Sequence, residues 1–305
     1  MEIKKKLLMS SKETRQDKFG KSISYLSIGF IILLVSLILY FIISKGLSTF
    51  TQNNVNVWDF LTKQDWSPSS IGKDGKPEVG ALPMIITSFG VTILSAILAT
   101  PFAIAIGIYM SVIAPKKGRK FLQIIIEMLV GIPSVVYGFL GLTIIVPMNR
   151  HLFGGTGFGI LSATLVLFVM VLPTITSLTV DSLNSVPKYL SDASLALGAT
   201  RWQTIYKVIL RAAIPGILTA IIFGMARAFG EALAVQMVIG NATLMPKNLI
   251  TPASTLTSQL TTGIGNTVMG TLGNNALWSL ALVLLLMSLV FNIIVKIIGK
   301  RGSIK

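Results

Sequence analysis

The sequence predicts an all-α integral membrane protein with six transmembrane helices and a pair of short helices at the cytoplasmic membrane surface. Of the 305 residues, 52% are hydrophobic and only 12% are charged, and the mean hydropathy is +0.78. In soluble domains about 25% of residues are charged. Six hydrophobic runs are each close to or above the roughly 20 residues that a helix needs to cross a bilayer. These runs are far longer than the strands of a transmembrane barrel.

The first predicted helix follows a basic N-terminal segment. Residues 1–22 carry seven Lys or Arg against three acids, and the next 22 residues, 23–44, carry no charge. This run is longer than the apolar core of a signal peptide, which ends at a cleavage site of small residues, and it is followed by Lys45. We therefore expect an uncleaved transmembrane helix over 23–45, with residues 1–22 in the cytoplasm.

Residues 46–82 form a polar segment that we expect to be an extracytoplasmic loop. It contains two tryptophans, Trp58 and Trp66. Tryptophan is enriched at membrane interfaces, so these residues are expected either at the bilayer surface or in a small core of the loop itself.

Five further spans are expected in the core, residues 83–298, before a cytoplasmic tail at 299–305. The hydrophobic runs cover residues 83–114, 121–148, 160–180, 216–239 and 276–295. Pro101, Pro133 and Pro173 lie inside these runs. Proline is tolerated within membrane helices because neighbouring groups can satisfy the freed backbone, so each proline is interpreted as either a kink or a hinge.

The distribution of basic residues predicts the orientation of the chain. With six spans and the N-terminus inside, both termini lie in the cytoplasm, and 19 Lys or Arg then face the cytoplasm against six outside. This bias agrees with the positive-inside rule. It also accounts for the net charge of +15, so membrane lipid is an expected partner and nucleic acid is not.

Several classes of chemistry are excluded by residue types that the sequence lacks. There is no cysteine and only one histidine, His151, so neither thiol chemistry nor a metal cluster is expected. The phosphate-binding motif G-x-x-x-x-G-K-[ST] is missing, because Gly20-Lys21-Ser22 ends like it but Arg15 stands where its first glycine is required. We expect no catalytic residue, no metal and no cofactor, and ATP would have to be bound by a partner subunit.

Residues 185–215 predict two short helices joined by a glycine. Pro187 suits the first turn of a helix, where its missing N–H does no harm. Gly198 suits the left-handed position after the end of that helix. Thr200 and Gln203 have the spacing of a capping box, so a second helix is expected to begin there and to end at Pro215. Because the segment lies between the fourth and fifth spans, the pair is expected at the cytoplasmic surface.

Three charged residues fall within the hydrophobic runs: Glu127, Arg227 and Glu231. A charge at the bilayer centre costs roughly 2.5–3.5 kcal/mol on insertion scales, so such residues face a protein interior or a watery path. Arg227 and Glu231 are four residues apart and would share one helix face, either as a structural ion pair or as a polar lining for a charged solute. Glu127 lies near the cytoplasmic end of its run and is expected to reach the interface.

The predicted helix pair also carries a family signature. Asp192-Ala193-Ser194, with Gly198 six residues after Asp192, resembles the E-A-A-x-x-x-G motif of importer permeases of the ATP-binding cassette (ABC) class. Asp replaces the usual Glu, and Ser replaces the second Ala. The resemblance implies that 185–215 is a coupling loop that rests on an ATPase subunit, with contacts from Asp192, Ala193, Gly198 and Arg201.

Three further motifs resemble one family of these permeases, the PstC-type subunit of phosphate importers. They are residues 133–141, 196–202 and 227–231, the last reading R-A-F-G-E, and the resemblance spans about residues 80–295. It implies a type I ABC importer permease with Arg227 and Glu231 in the substrate path. The implied partners are a PstA-like permease chain, two ABC ATPase subunits and an extracytoplasmic phosphate-binding protein, assembled in a bacterial plasma membrane.

Two alternatives remain open from the sequence. A permease of the same architecture could carry another oxyanion, such as molybdate or sulfate. A secondary transporter driven by an ion gradient is also compatible with the sequence, because Glu127 and Glu231 could bind protons and broken helices are common in such proteins.

Overall fold

The computed structural model describes residues 12–71 and 77–302, most of which are helical. The basic residues before residue 12, together with Lys73, Lys76 and Lys305, lie outside the described residues. In chain order the elements are α1 (Lys12–Thr51), α2 (Val57–Thr62), β1 (Trp66–Ile71), β2 (Pro77–Val79), α3 (Leu82–Ile108), α4 (Lys116–Gly131), α5 (Ser134–Leu140), α6 (Val146–Phe153), α7 (Ile160–Asn184), α8 (Lys188–Ala196), α9 (Arg201–Thr204), α10 (Leu210–Phe229), α11 (Leu233–Ile239), α12 (Leu256–Ile264) and α13 (Leu272–Gly302).

Within residues 12–71 and 77–302, six helical stretches are long and apolar enough to cross a membrane, which confirms the predicted number of spans. They are Gln16–Thr51, Leu82–Ile113, Ser134–Phe153, Ile160–Asn184, Arg201–Phe229 and Leu272–Ile294. Three of them contain a π-helical turn. One turn extends α3 (Tyr109–Ile113), a second joins α5 to α6 (Gly141–Ile145), and a third joins α9 to α10 (Ile205–Ile209). Such turns insert an extra residue into a helix and bend it locally.

The α7 helix is the centre of the bundle, and α3 and α10 pack on it closely through small residues. A methyl group at Gly107 of α3 would lie 2.7 Å from the Thr179 side chain, and one at Gly224 of α10 would lie 2.5 Å from that of Ile175. Glycine at these positions therefore allows the helix backbones to approach, as is typical of packing between membrane helices. A larger residue at either position would push the two helices apart.

The α1 helix lies at the edge of the bundle. Residues 16–41 are exposed in the chain on its own, so their apolar side chains face lipid or a partner. The helix contacts the bundle near its C-terminal end, where Ser279 Oγ of α13 lies 2.6 Å from the carbonyl oxygen of Gly46 and 2.7 Å from Thr49 Oγ1. This helix continues past the predicted boundary at residue 45 to Thr51.

The segment after α1 forms α2 and the antiparallel pair β1 and β2, and its buried residues share a hydrophobic core with α3, α12 and α13. The strand register aligns Trp66 with Val79. Phe60 is fully buried, and its ring centroid lies 6.4 Å from that of Trp66. Trp58, in contrast, is 71% exposed. The two tryptophans therefore differ, since Trp66 is partly buried and packs against the core around Phe60, whereas Trp58 lies on the surface.

The prediction of one continuous third span over 121–148 is wrong. The α4 helix ends at Gly131, Ile132 is extended, and α5 begins after Pro133. Proline disfavours helical geometry in the residue before it and has no N–H to continue the ladder. Glu127 consequently lies on a separate helix that precedes the span, where it is exposed and accepts a hydrogen bond from Gln123 Nε2 at 2.9 Å.

The prediction that Pro215 ends the second surface helix is also wrong. Pro215 lies inside α10, and the fifth span runs without a break from Arg201 to Phe229 rather than over 216–239. A proline within a membrane helix removes a single backbone bond, whereas ending the helix inside the bilayer would leave several groups unpaired. Pro101 and Pro173 likewise lie inside continuous helices, whereas Pro133 lies at a helix start.

Candidate coupling surface and substrate path

The surface helix pair has the predicted local geometry. The α8 helix begins directly after Pro187, and Gly198 has a φ of 81°, in the left-handed region. The Thr200 hydroxyl accepts a hydrogen bond from the backbone N–H of Gln203 at 3.2 Å, and Gln203 Oε1 accepts one from the N–H of Thr200 at 2.9 Å. This reciprocal pair is a capping box, so the helix–glycine–helix prediction is confirmed.

The second helix of the pair is continuous with the fifth span, which the sequence did not predict. The α9 helix passes through the π-helical turn directly into α10. Ser194 Oγ of α8 and Thr204 Oγ1 of α9 are 2.9 Å apart. Ile205 and Ile209 are buried against Leu183 at the end of α7. A side-chain hydrogen bond therefore links α8 to α9, and the π-helical turn that leads into α10 packs on the end of α7.

The pair presents large apolar side chains to solvent. Leu197 at the turn is 89% exposed, and α8 has no buried residue. Tyr189, Trp202 and Tyr206 are also exposed. Exposed apolar groups clustered among polar residues are typical of a protein interface. The four residues expected at the ATPase, Asp192, Ala193, Gly198 and Arg201, are all exposed on the same surface.

Arg227 lies beside the middle of α7. Its Nη1 donates a hydrogen bond to Thr174 Oγ1 at 2.5 Å. Thr174 is on α7, which runs from Ile160 to Asn184, so it lies about 21 Å along the helix from one end and about 15 Å from the other. Both side chains are partly buried.

Glu231 does not form the expected ion pair with Arg227. Within the described residues no ion pair joins the two, because α10 ends at Phe229 and the chain leaves helical geometry before Glu231. Glu231 Oε1 instead accepts a hydrogen bond from the backbone N–H of Ala234 at 3.1 Å. Its carboxylate thus caps the start of α11, where a negative charge is favoured.

Two helix breaks lie close together in this region. The α4–α5 break at Pro133 is bridged by a hydrogen bond that the Tyr137 hydroxyl donates to the carbonyl oxygen of Leu129 at 2.8 Å. The α10–α11 break lies near the α4–α5 break, because α11 packs closely on α5. A methyl group at Gly138 of α5 would lie 2.9 Å from Cα of Ala234 in α11. Substrate sites of membrane transporters are commonly built from such discontinuous helices near the midplane.

Sequence reasoning missed a helical segment that packs into the bundle beside Glu231. Residues 240–275 read as a polar loop, yet the N–H of Leu256 donates to Ser88 Oγ of α3 at 2.9 Å. Thr257 Oγ1 of α12 donates to the carbonyl oxygen of Glu231 at 2.8 Å, and Thr261 Oγ1 donates to Gln236 Oε1 at 2.9 Å. The capping box formed by Thr255 and Ser258 is the sequence signal that could have identified this helix.

Comparison with known proteins agrees with this architecture. Residues 103–303 match the family model described as the binding-protein-dependent transport system inner membrane component. The chain belongs to this family. The permease is 48% identical over 300 residues to the probable ABC transporter permease protein YqgH of Bacillus subtilis (strain 168), covering 97% of this chain and 96% of that protein. It is 33% identical over 253 residues to the phosphate transport system permease protein PstC of Pasteurella multocida (strain Pm70), covering 76% and 77% of the two chains.

Solved structures with the same fold are also ABC importers. A bacterial alginate ABC transporter chain, from a complex with a pentasaccharide-bound periplasmic protein, matches with a TM-score of 0.63 and 15% identity over 94% of this permease and 96% of that chain. A chain of the MetNI methionine ABC transporter in an inward-facing conformation matches with a TM-score of 0.56 and 21% identity over 72% and 94%. These similarities confirm the type I permease fold.

Family membership also establishes how the permease works with other subunits. It is a multi-pass inner-membrane component and not an enzyme, and ATP is hydrolysed by separate ATPase subunits. An ABC importer permease of this family functions together with another permease, with the ATPases and with a periplasmic binding protein.

Proposed function

We propose that this permease is the PstC-like subunit of an ATP-driven phosphate importer. In this proposal a PstA-like chain completes the translocation path, two ABC ATPase subunits bind below it, and a phosphate-binding protein delivers the solute from outside. Both termini lie in the cytoplasm of a bacterial cell, as the bias of basic residues indicates. The proposal is supported by the similarity to PstC of Pasteurella multocida and by the chemistry around Arg227.

The observation that carries the proposal is the environment of Arg227. A guanidinium group has five N–H donors in a planar fork that matches the oxygen atoms of phosphate. Within the part of the chain that the structure describes, Arg227 gives one hydrogen bond, to the neutral hydroxyl of Thr174, and has no carboxylate partner. A partly buried cation without a counter-ion, within a bundle of membrane-spanning helices, is suited to receive an anion.

Glu231 and the segment around it form the remaining polar wall in this proposal. The carboxylate holds the start of α11 at the helix break, beside the hydroxyl of Thr257. We propose that Glu231 shapes the path at this break and accepts a proton from a phosphate ion that still carries one. The path would then continue outward between α11 and α12, past Gln236 and Thr261.

The coupling step follows from the continuity between α9 and α10. We propose that Asp192, Ala193, Gly198 and Arg201 contact an ATPase subunit, together with the exposed apolar side chains of the helix pair. When the ATPases close on ATP, they would displace α8, and the contact between Ser194 and Thr204 would transmit the displacement to α10. Since α10 carries Arg227 near its other end, the arginine would change its access from outside to inside.

A test of the proposal is phosphate uptake by proteoliposomes that contain the complete importer. Arg227→Lys keeps the positive charge but removes the planar fork, so we expect uptake to be lost while the complex still assembles. Arg150→Lys is the matched control, because Arg150 is an exposed arginine of α6, outside both the coupling loop and the substrate path. Unaltered uptake by Arg227→Lys would show that Arg227 is structural and would overturn the proposal.

A permease for another oxyanion is the second candidate, because the same guanidinium would bind molybdate or sulfate. Direct uptake separates the two, since the complete importer should take up labelled phosphate in the first case and labelled molybdate or sulfate in the second. The secondary-transporter alternative is not retained, because the chain belongs to a family of permeases that depend on separate ATPases.

A further inference from the structure

We propose that Thr174 is a positioning residue that holds the guanidinium group of Arg227 in the substrate path. The inference rests on the proposed function, in which Arg227 binds the solute. Its basis is the hydrogen bond from Arg227 Nη1 to Thr174 Oγ1, which joins two helices across 53 positions of the sequence.

The orientation of the Thr174 hydroxyl differs from that of two nearby hydroxyls on the same helix, Thr176 and Ser182. Thr176 Oγ1 donates back to the carbonyl oxygen of Leu172 at 2.7 Å, and Ser182 Oγ donates back to that of Leu178 at 2.7 Å. This back-bonding is the usual arrangement for hydroxyl residues within a helix. Thr174 makes no such bond in the described structure, and its oxygen accepts from Arg227 instead.

The position of Thr174 is well defined by its neighbours. Pro173, directly before it, is buried and has a fixed φ. Ile175, directly after it, is fully buried against α10 at Gly224. A β-branched side chain also has few rotamers in a helix. The hydroxyl therefore has a fixed location in the bundle, which a flexible arginine side chain does not have by itself.

The bond determines which part of the arginine is available. With Nη1 held by Thr174, the guanidinium plane is constrained, and its remaining N–H groups have no protein partner within the described residues. An arginine already oriented before the anion arrives loses less conformational freedom on binding it. Without the Thr174 hydroxyl the Arg227 side chain can rotate. The ATPases would then hydrolyse ATP in more cycles that transport no phosphate.

The test is the ratio of phosphate transported to ATP hydrolysed by the assembled importer in proteoliposomes, with loaded binding protein in excess. Thr174→Val removes the hydroxyl at nearly constant volume, and we expect this ratio to fall about tenfold, as for loss of a hydrogen bond to a charged group. Thr174→Ser restores the hydroxyl and should restore the ratio. Thr176→Val is the matched control, since its hydroxyl bonds only to its own helix, and it should leave the ratio unchanged.

Several outcomes would overturn the inference. A normal ratio for Thr174→Val would do so, and so would equal losses for Thr174→Val and Thr176→Val, which would indicate a general effect on α7. If Thr174→Val does not assemble, Thr174→Cys takes its place, because a thiol is only a weak hydrogen-bond acceptor. A ratio of phosphate transported to ATP hydrolysed that equals the ratio of Thr174→Ser would then count against a positioning role for Thr174. Normal uptake by Arg227→Lys would instead reject the proposed function itself, so the two failures are distinguishable.

Discussion

Glu231 Oε1 lies 3.1 Å from the backbone nitrogen of Ala234, and this contact replaces the ion pair that the spacing of Arg227 and Glu231 suggests. The carboxylate caps the short helix α11, which begins just after the break that ends α10. It leaves Arg227 without an acidic partner in the described residues. The separation of these two charges is the basis of the proposed anion site.

The cap predicts different effects for two substitutions of Glu231. Gln keeps a side-chain oxygen that can accept the N–H of Ala234, so Glu231→Gln should retain the stability of the complex. Glu231→Ala should lower the stability by about 1 kcal/mol, as for loss of a helix cap. Thermal unfolding of the purified complex measures both, and equal midpoints for the two variants would contradict a capping role.

Substitution of Gly198 should disturb coupling. Its φ of 81° is unfavourable for any residue with a side chain, at a cost of about 1–2 kcal/mol, although a methyl group added there would have no other atom within 4 Å. We therefore expect Gly198→Val to change the angle of the surface helix pair and to reduce either ATPase binding or uptake per ATP hydrolysed. Copurification with the ATPases and transport assays measure these effects.

Gly265→Ala is the control for the Gly198 substitution. Gly265 also has open space around it, but its φ of −76° suits any residue. This variant should bind the ATPases and transport normally. If Gly198→Val behaves in the same way as Gly265→Ala, the left-handed turn has no role in coupling.

Close packing of α10 on α7 predicts that Gly224→Val prevents assembly of the bundle. The added side chain would overlap Ile175, whose Cγ1 lies 2.5 Å from a methyl group at this position, and overpacking typically costs about 1–3 kcal/mol. The amount of folded permease in membranes measures the effect. Adding Ile175→Ala to Gly224→Val should partly restore the amount of folded permease, because it makes space for the valine. Gly90→Ala is the control and should accumulate normally, since a methyl group there would have no other atom within 4 Å.

Arg119 should stabilise the C-terminal end of α3. Its Nε donates to the carbonyl oxygen of Met110 at 2.6 Å, and its Nη2 donates to that of Ser111. These carbonyls lie in the last turn of the helix, where a positive charge is favourable. Arg119→Lys keeps the charge but cannot make both bonds, so we expect a loss of about 1 kcal/mol in thermal stability. The exposed neighbour Lys120 provides the control, and Lys120→Ala should have no measurable effect.

Local signals in the sequence were sufficient for the surface helix pair. Pro187, Gly198 and the capping box of Thr200 and Gln203 act within a few residues of chain, so their effect on the backbone does not depend on the rest of the fold. The number of spans was likewise predictable, because transfer of an apolar run into lipid depends on its length and composition.

Where helices break inside the membrane was harder to predict. By hydropathy, residues 121–148 form one apolar run, but α4 ends at Gly131 within it. Residues 240–275 are polar enough to suggest a loop, but they contain the helix α12. Hydropathy measures the cost of placing side chains in lipid. It does not report which polar backbone groups will find partners on another helix, and Leu256 depends on such a partner in Ser88.

The sequence by itself determined the membrane class, the six spans, the helix–glycine–helix pair and the presence of Arg227 and Glu231 in an apolar setting. Only the tertiary structure decided their contacts. Arg227 reaches Thr174 on a distant helix, and Glu231 caps a new helix instead of pairing with the arginine. The reason is physical: spacing along a chain defines a shared face only while the helix continues, and here the helix ends between the two residues.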